Sequence, residues 1–347
     1  MYMMEKLNQE EANMRVAPPW ETKKRVMIRV EEGTDPSYGQ PPESRPIQDH
    51  IRYGVVTLDK PPGPTSHEVV SWVKRILNID RAGHSGTLDP RVTGVLPITL
   101  VEATKVSQIL LLSGKEYVCV MRLHAPADEE RVVEVLEEFV GEIYQRPPLR
   151  SSVRRRVRRR RMYYITDLEF DGDYVLFRVG CQAGTYVRKL CFDVGEALGC
   201  GAHMEELRRT RAGPFTEDEG LASLYDLSDG YAIWREEGDE SLLRRFVHPV
   251  ERALELVPKI FVRDSAVDAL CHGADLAVPG VVRLEGDVLP RRRVGIFTLK
   301  GELVALARAL MSAEEIVEGE HGIAADTERV IMPVGVYPRR WRGRKSG

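Results

Sequence analysis

Residues 84–96 read "HSGTLDPRVTGVL". The acid in this stretch, Asp89, stands between Gly86 and Gly94 and directly before Pro90. A following proline pushes a residue away from helical angles. Two glycines, a proline and small hydroxyl residues make the stretch a loop. Its flanks are regular. Upstream, "GVVTL" (54–58) is a short apolar strand and "DKPPGP" (59–64) a turn. Thr65 and Glu68 have capping-box spacing. They open a helix, "SHEVVSWVKRIL" (66–77), with Val69, Val73, Ile76 and Leu77 on one face. Downstream, "VLPITLVEATKVSQILLL" (95–112) reads as a strand and then a helix.

The same alternation of patterns continues. In "KEYVCVMRLH" (115–124), Tyr117, Cys119, Met121 and Leu123 alternate with Val118, Val120 and Arg122, which is a strand period. "DEERVVEVLEEFVG" (128–141) is an amphipathic helix. "MYYITDLEFDGDYVLFRVGC" (162–181) is a hairpin turning at "DGD". "GTYVRKLCFDVGEALG" (184–199) is a helix with Val187, Leu190, Cys191, Val194 and Leu198 inward and Thr185 as its cap. Helices mixed with hairpins give an α+β class with a largely antiparallel sheet. From about residue 255 one short helix is followed by short strands at close intervals, the pattern of a small β-rich barrel. Residues 1–50, rich in proline, read as an extended arm. The expected organisation is therefore an arm (1–50), a main domain (51–255), a small β domain (256–337) and a basic tail (338–347).

Composition narrows the function. With 43% hydrophobic and 30% charged residues among 347, the chain is a globular protein. No apolar run is long enough to span a membrane, and the start "MYMMEKLNQEEANMRV" lacks the apolar core of a secretory signal. A cytoplasmic address is expected. The five cysteines form no C-x-x-C pair. They read as small buried hydrophobes rather than zinc ligands or disulfides. The net charge is only −3, but its distribution is uneven. Residues 146–161, "RPPLRSSVRRRVRRRR", contain no acid, and the tail carries "RRWRGRK". Arginines crowded from Arg154 to Arg161 repel one another, and RNA phosphates relieve that repulsion. A solvated loop or an acidic protein partner fits the same run.

For Asp89 the residues leave several roles open. Aspartate in such a loop is most often a turn former bonded to nearby backbone N–H groups. An aspartyl-phosphate loop would need an acidic metal-binding pair and a phosphate loop, and a glycosidase would need a second carboxyl group; no motif supplies these. A single carboxylate acting without a metal remains. It must stay ionised, which a nearby guanidinium favours. Arg188, in the first turn of the 184–199 helix, opposes the helix dipole there unless an anion faces it. Tyr186 lies beside Gly184, where backbone can approach a ligand closely.

Five stretches carry a resemblance: "GVVTLDKPPGPTSHEVVSWVKRIL", "GHSGTLDPRVTGVLPI", "KEYVCVMRLH", "CQAGTYVRKLC" and "ELRRTRAGPF", in that order. Together they resemble the pseudouridine synthases of the family that includes the bacterial tRNA T-loop enzyme. The arm "GTDPSYGQPPESRPIQDHIRYG" and the segment "GADLAVPGV" look closer to the H/ACA, dyskerin-type branch in its archaeal version. The resemblance implies a pseudouridine synthase fold with a C-terminal PUA domain and an arm packed on it. It implies an isomerase, needing no cofactor and no metal, that turns uridines of rRNA into pseudouridine under a guide RNA. Guide-independent action on the tRNA T-loop is a further implied activity. The implied partners are H/ACA guide RNA, rRNA and tRNA, and three small proteins: a Gar-type barrel, a Nop-type zinc protein and an L7A-type kink-turn protein.

By the same resemblance Asp89 is the catalytic acid, Tyr117 packs against the base with a proton-transfer role, and Arg188 pairs with the acid. His84 holds the flipped nucleotide, Tyr186 and Leu207 line the pocket, and Lys60 shapes its floor. Arg154, Arg155, Arg156 and Arg158 are expected on RNA. Taken alone, Tyr117 would be a core aromatic, Arg188 a surface cation and His84 a loop hydrogen-bonder. Arg291–Arg293 fit a solvated turn as well as an RNA contact. One departure is clear. The bacterial branch carries a tyrosine after "PP", where this chain reads "PPLRSSVRRRVRRRR", so bacterial tRNA contacts do not transfer.

Overall fold

The computed structural model describes residues 16–147 and 156–339. Arg154 and Arg155, the first fifteen residues of the arm and the tail from 340 onward lie outside the described residues. The described strands form two sheets. β1 (Val26–Ile28) belongs to the second. The first, ten-stranded sheet holds β2 (Gly54–Lys60), β3 (Ala82–His84), β4 (Thr93–Leu100), β5 (Lys115–Leu123), β6 (Gly141–Gln145), β7 (Arg158–Asp171), β8 (Tyr174–Cys181), β9 (Ala202–Ala212), β10 (Phe215–Thr216) and β11 (Val247–Pro249). Its order is β11-β2-β4-β9-β5-β8-β7-β6, with β3 on β4 and β10 on β9. All these pairings are antiparallel except β4 with β9. The expected α+β class with a largely antiparallel, mixed sheet is what forms.

That parallel joint places the site. Gly94 on β4 lies opposite Arg209 on β9 and has φ +97°. A Cβ there would stand 2.2 Å from the Arg209 carbonyl oxygen. Only glycine permits both the angle and the approach. The loop carrying Asp89 is thereby drawn against the centre of the sheet.

Two helices frame this loop. Ser66–Ile76 starts at the capping box, with Thr65 and Glu68 each bonding the other's backbone N–H. It buries Val69, Val73 and Leu77 against Leu58, Leu96 and Ile98 of the sheet. Val187–Leu198 buries Leu190, Cys191 and Val194 against Cys119, Met121 and Val179. Each buried aliphatic side chain contributes about 1.5–3 kcal/mol of transfer free energy. Cys119 and Cys191 touch, Sγ to Sγ at 3.6 Å, and all five cysteines are free thiols.

The second, seven-stranded sheet runs β1-β14-β12-β15-β16-β17-β13, from β12 (Lys259–Val262), β13 (Leu276–Ala277), β14 (Val281–Glu285), β15 (Arg293–Thr298), β16 (Leu303–Ala309) and β17 (Ile323–Val330). β1, from the arm, pairs with β14 through Val26–Glu285 and Ile28–Arg283. Lys24 adds an ion pair to Glu285 at 2.8 Å. An apolar seam joins the two sheets: Val55, Val95, Phe215 and Val250 pack with Phe297, Leu303, Leu306 and Ile331. Arg45 grips Glu251 through both guanidinium nitrogens at 2.9 and 2.6 Å.

Two local expectations are corrected. The arginine run is not all loop. Its last four residues, Arg158–Arg161, begin β7, because β6 pairs with them from Gln145–Arg158 to Gly141–Met162. Glu142 on β6 answers Arg159 and Arg161 at 3.1 and 3.2 Å. Thr185 does not cap its helix. The N-cap is Tyr186, and the Thr185 hydroxyl instead donates to the Gln182 carbonyl at 2.7 Å. No helix among the described residues is long and apolar enough to cross a membrane.

Candidate active site

The Asp89 loop is clamped on both sides of the acid while the acid itself is left open. The Val92 N–H donates to the Asp89 carbonyl at 3.0 Å, closing a turn with Pro90 in its second position. The Leu88 N–H donates to Ser66 Oγ at 3.0 Å, and that hydroxyl donates back to the Leu88 carbonyl at 3.2 Å. The Gly63 N–H reaches the Pro90 carbonyl at 2.9 Å. Lys60 is fully buried and donates to the carbonyls of Pro61, Pro90 and Val92 at 2.9, 3.0 and 3.1 Å. Burial, and then the charge of Arg209, lower its pKa, while Asp89 raises it.

Arg188 closes on the acid from the far end of the sequence. Its Nη1 lies 2.6 Å from Asp89 Oδ2, across a separation of 99 residues. The Asp89 and Arg188 side chains keep 50% and 45% of their exposure, so the carboxylate is accessible to a ligand. Arg188 is the second residue of its helix, where a cation is opposed by the dipole. Asp89 supplies the compensating anion. Tyr186, two residues before Arg188, is fixed by the Gln145 amide. Gln145 accepts from the Tyr186 N–H at 3.0 Å and donates to its carbonyl at 3.2 Å.

Tyr117 on β5 lies opposite Arg209 of β9, and Leu207 lies opposite Cys119, two residues along the same pair of strands. Leu207 is half-buried against the same core as Tyr117. The Tyr117 hydroxyl and the Arg209 guanidinium influence each other electrostatically. Tyr117 has its pKa raised, by burial above all, against the lowering effect of Arg209. It is therefore a protonated phenol at neutral pH. His84, on β3 opposite Ile98, meets the His67 ring edge-on at 4.7 Å. Burial first, then the neighbouring His67 and Arg209, push its pKa down to about 4.

A consequence can be measured. The unfolded imidazole titrates at 6.5. Between 6.5 and about 4 the unfolded chain binds a proton that folded His84 refuses. Stability present above pH 6.5 is thus lost as pH falls toward 4, by at most about 3 kcal/mol. His84→Gln should flatten that part of the curve of unfolding free energy against pH. Equal slopes in wild type and variant would contradict a buried neutral ring.

The structure thus brings Asp89, Arg188, Tyr117, Lys60 and His84 around one loop, with Tyr186 and Leu207 at its margin. Among the arginines, Arg156 is exposed and Arg158 lies opposite Gln145 at the start of β7. Sequence reasoning missed Ser66, Gln145 and Arg209. Only Arg209 left a signal: on a strand with Leu207 inward, the residue two places on faces the same way. Among the described residues no group of three or more His, Cys, Asp or Glu is placed to hold a metal ion.

Four family models match the chain. They are a DKCLD (NUC011) domain over 18–70, the N-terminal domain of TruB family pseudouridylate synthases over 74–132, the tRNA pseudouridylate synthase B C-terminal domain over 188–255, and a PUA domain over 258–331. The chain is 57% identical to a probable tRNA pseudouridine synthase B of Methanopyrus kandleri, covering 93% of this chain and 95% of that one. It is 55% identical to the protein of the same name from Pyrococcus furiosus, over 94% and 96%. Among solved structures it resembles a chain of a Cbf5-Nop10-Gar1 complex, with TM-score 0.90, 54% identity and coverage of 94% and 99%. It also resembles a chain of an H/ACA RNP bound to a substrate RNA containing 2'-deoxyuridine, with TM-score 0.89, 52% identity and coverage of 94% and 100%. Identity of this extent, over nearly the whole of each relative, means that the chain belongs to the TruB family of pseudouridine synthases, isomerases of RNA uridine, in the form that carries DKCLD and PUA domains.

Proposed function

We propose that this chain is the catalytic subunit of an H/ACA guide-RNA ribonucleoprotein, working in the cytoplasm and isomerising specific uridines of rRNA. The observation that carries the site is the Asp89–Arg188 pair, 2.6 Å apart on a clamped but open loop. A base stacked in RNA cannot reach it, so the uridine is flipped out. The Asp89 carboxylate promotes cleavage of the C1'–N1 bond, and the base keeps the electron pair. The base turns, a C1'–C5 bond forms, C5 loses a proton and N1 gains one. Substrate and product are isomers, and the chemistry calls for no redox step. Arg188 stays paired with the carboxylate when RNA displaces water from it.

The remaining residues take supporting roles. Tyr117 packs on the base, Tyr186 and Leu207 line its pocket, and His84 as a neutral ring holds the flipped nucleotide. Lys60 fixes the loop. Arg156 and Arg158, with Arg154 and Arg155 outside the described residues, face RNA phosphates. The assembly reading is supported by likeness to chains solved within Cbf5-Nop10-Gar1, Nop10-Cbf5 and H/ACA RNP complexes. The partners are therefore guide RNA, Gar-type and Nop-type proteins and, for a kink-turn guide, an L7A-type protein. A second reading, guide-independent action on the tRNA T-loop, is favoured by the name tRNA pseudouridine synthase B on the relatives.

Pseudouridine mapping separates the two. The protein is incubated with unmodified tRNA, and with rRNA target plus guide RNA and partner proteins. Modification of rRNA only with the guide is the expected result. Modification of tRNA by the protein alone supports the second reading, and no product in either arm sinks both.

A further inference from the structure

The arginines that begin β7 divide between the two faces of the sheet, because side chains alternate along a strand. Arg159 and Arg161 share one face, and Glu142 answers both at 3.1 and 3.2 Å. Arg160 lies opposite Ile143 and Arg158 opposite Gln145, so these four share the other face. The single acid of β6, Glu142, is directed away from them. Ile143 belongs to the same core as Val187 and Leu190, on the helix that carries Arg188. Gln145 holds the Tyr186 backbone from this face. Arg160 reaches the same segment. A Cβ on Gly184 would stand 3.0 Å from its Nη2 and 3.2 Å from its Nε, so the guanidinium lies against bare glycine backbone. Gly184 has φ +79°, an angle that keeps side chains out of that position. Arg160 Nη1 donates to the Arg159 carbonyl at 2.8 Å and so orients the group. Arg160 is half-buried, and burial first and then the charge of Arg158 lower its pKa.

We propose that Arg160 is a phosphate-binding residue of the site: it takes a phosphodiester of the RNA strand beside the flipped uridine. The balance of charge calls for such a residue. Asp89 is an anion that has to receive a polyanion, and the cation that offsets it, Arg188 at 2.6 Å, is engaged in doing so. A nucleotide turned out of its stack brings its flanking phosphates to the rim of the pocket. There they are repelled by the Asp89 carboxylate unless a further cation faces them. The segment that Arg160 lies against leads from Gly184 through Tyr186 to Arg188, so Arg160 borders the pocket margin. A guanidinium carries more donors than one backbone carbonyl uses, and its planar fork matches phosphate oxygens. The bare Gly184 backbone lets a strand come close. Half-buried, Arg160 meets an anion through a medium that screens less than water. A phosphate also relieves the repulsion between Arg158 and Arg160. The inference rests on the function proposed above and deepens it, by naming where the substrate strand, rather than its base, is held.

A cycle between one protein charge and one RNA charge tests it. Target RNAs each carry a single methylphosphonate, an uncharged linkage, placed at successive positions around the uridine. Their affinity is measured for the assembled particle, or for the protein alone with T-loop RNAs if tRNA is the substrate. Arg160→Gln should weaken binding of the unmodified RNA about 10-fold and lower the slope of log affinity against log salt by about 1. The loss should appear in affinity and KM rather than in kcat. Neutralising one linkage next to the uridine should cost the wild type about the same factor, and cost Arg160→Gln almost nothing more. Equal losses in both proteins at every linkage, coupling only at linkages remote from the uridine, or unchanged affinity of Arg160→Gln would overturn the proposal. So would a loss carried by kcat, by unfolding in a thermal melt, or by release of a partner protein from the particle. Should Arg160→Gln not fold, Arg160→Met, equally uncharged, takes its place with the same supporting and contrary outcomes. Asp89→Asn is run alongside. If that variant stays active, the function proposed for the site fails, while the binding cycle still reports on Arg160.

Discussion

Asp89→Asn is expected to lower single-turnover pseudouridine formation by about 10⁴-fold or more, the scale seen when a reacting group is removed. RNA affinity should stay within about threefold, since recognition comes mainly from phosphate contacts elsewhere. The fold should survive. The Asp89–Arg188 pair is half-exposed on both sides, and such pairs contribute about 0–1 kcal/mol. The loop does not depend on the carboxylate either. It is held through backbone groups by Ser66, Lys60, Gly63 and Arg209. Asparagine accepts the same turn, because its backbone carbonyl still takes the Val92 N–H. The variant therefore separates chemistry from structure. Product yield, RNA affinity and melting temperature measured on one preparation decide it. Normal turnover would remove Asp89 from the reaction, and a collapsed melting temperature would make it a structural turn former.

How much of this was visible in the sequence depends on the range of each contact. Local signals were reliable. Thr65 and Glu68, three residues apart, form the capping box, and "DGD" turns the hairpin between Asp171 and Tyr174. The Leu190, Cys191 and Val194 face is buried as the helical period requires. The β6 pairing was invisible, because nothing in "GEIYQ" announces that Arg158–Arg161 will lie beside it. Repulsion within an arginine run argues against a strand. Glu142 offsets it from across the sheet. Thr185 looked like a cap because its residue type suits that place, but the helix begins one residue later. Gln145 fixes Tyr186 from 41 residues away and Arg209 reaches Val95 across 114. Such contacts have no period to read. For Asp89 itself the residues alone favoured a turn former over a reacting acid. The resemblance named its role, and the fold supplies the geometry on which that role can be tested.

Lys60→Met should destabilise the protein and disable the loop together. The ammonium is fully buried and donates to three carbonyls, two of which, Pro90 and Val92, closely follow the acid. Removing the donor strands those acceptors. Hydrogen bonds from a charged group contribute about 1.5–3 kcal/mol each, and part is returned because the ammonium no longer has to be desolvated. A net loss of about 2–4 kcal/mol follows, read as a lower denaturant midpoint at unchanged slope. The catalytic loss should exceed what unfolding explains. With Pro90 and Val92 released, Asp89 can drift from Arg188, and a misplacement of about 1 Å costs about 10²-fold in rate. At a temperature where the variant is fully folded, kcat should therefore still fall by about that factor. Methionine matches the length of lysine, so packing changes little and the effect is assigned to the lost donor. A stability within about 1 kcal/mol of wild type, or full turnover in the folded variant, would show that the loop holds its shape through Ser66, Gly63 and Arg209 without Lys60.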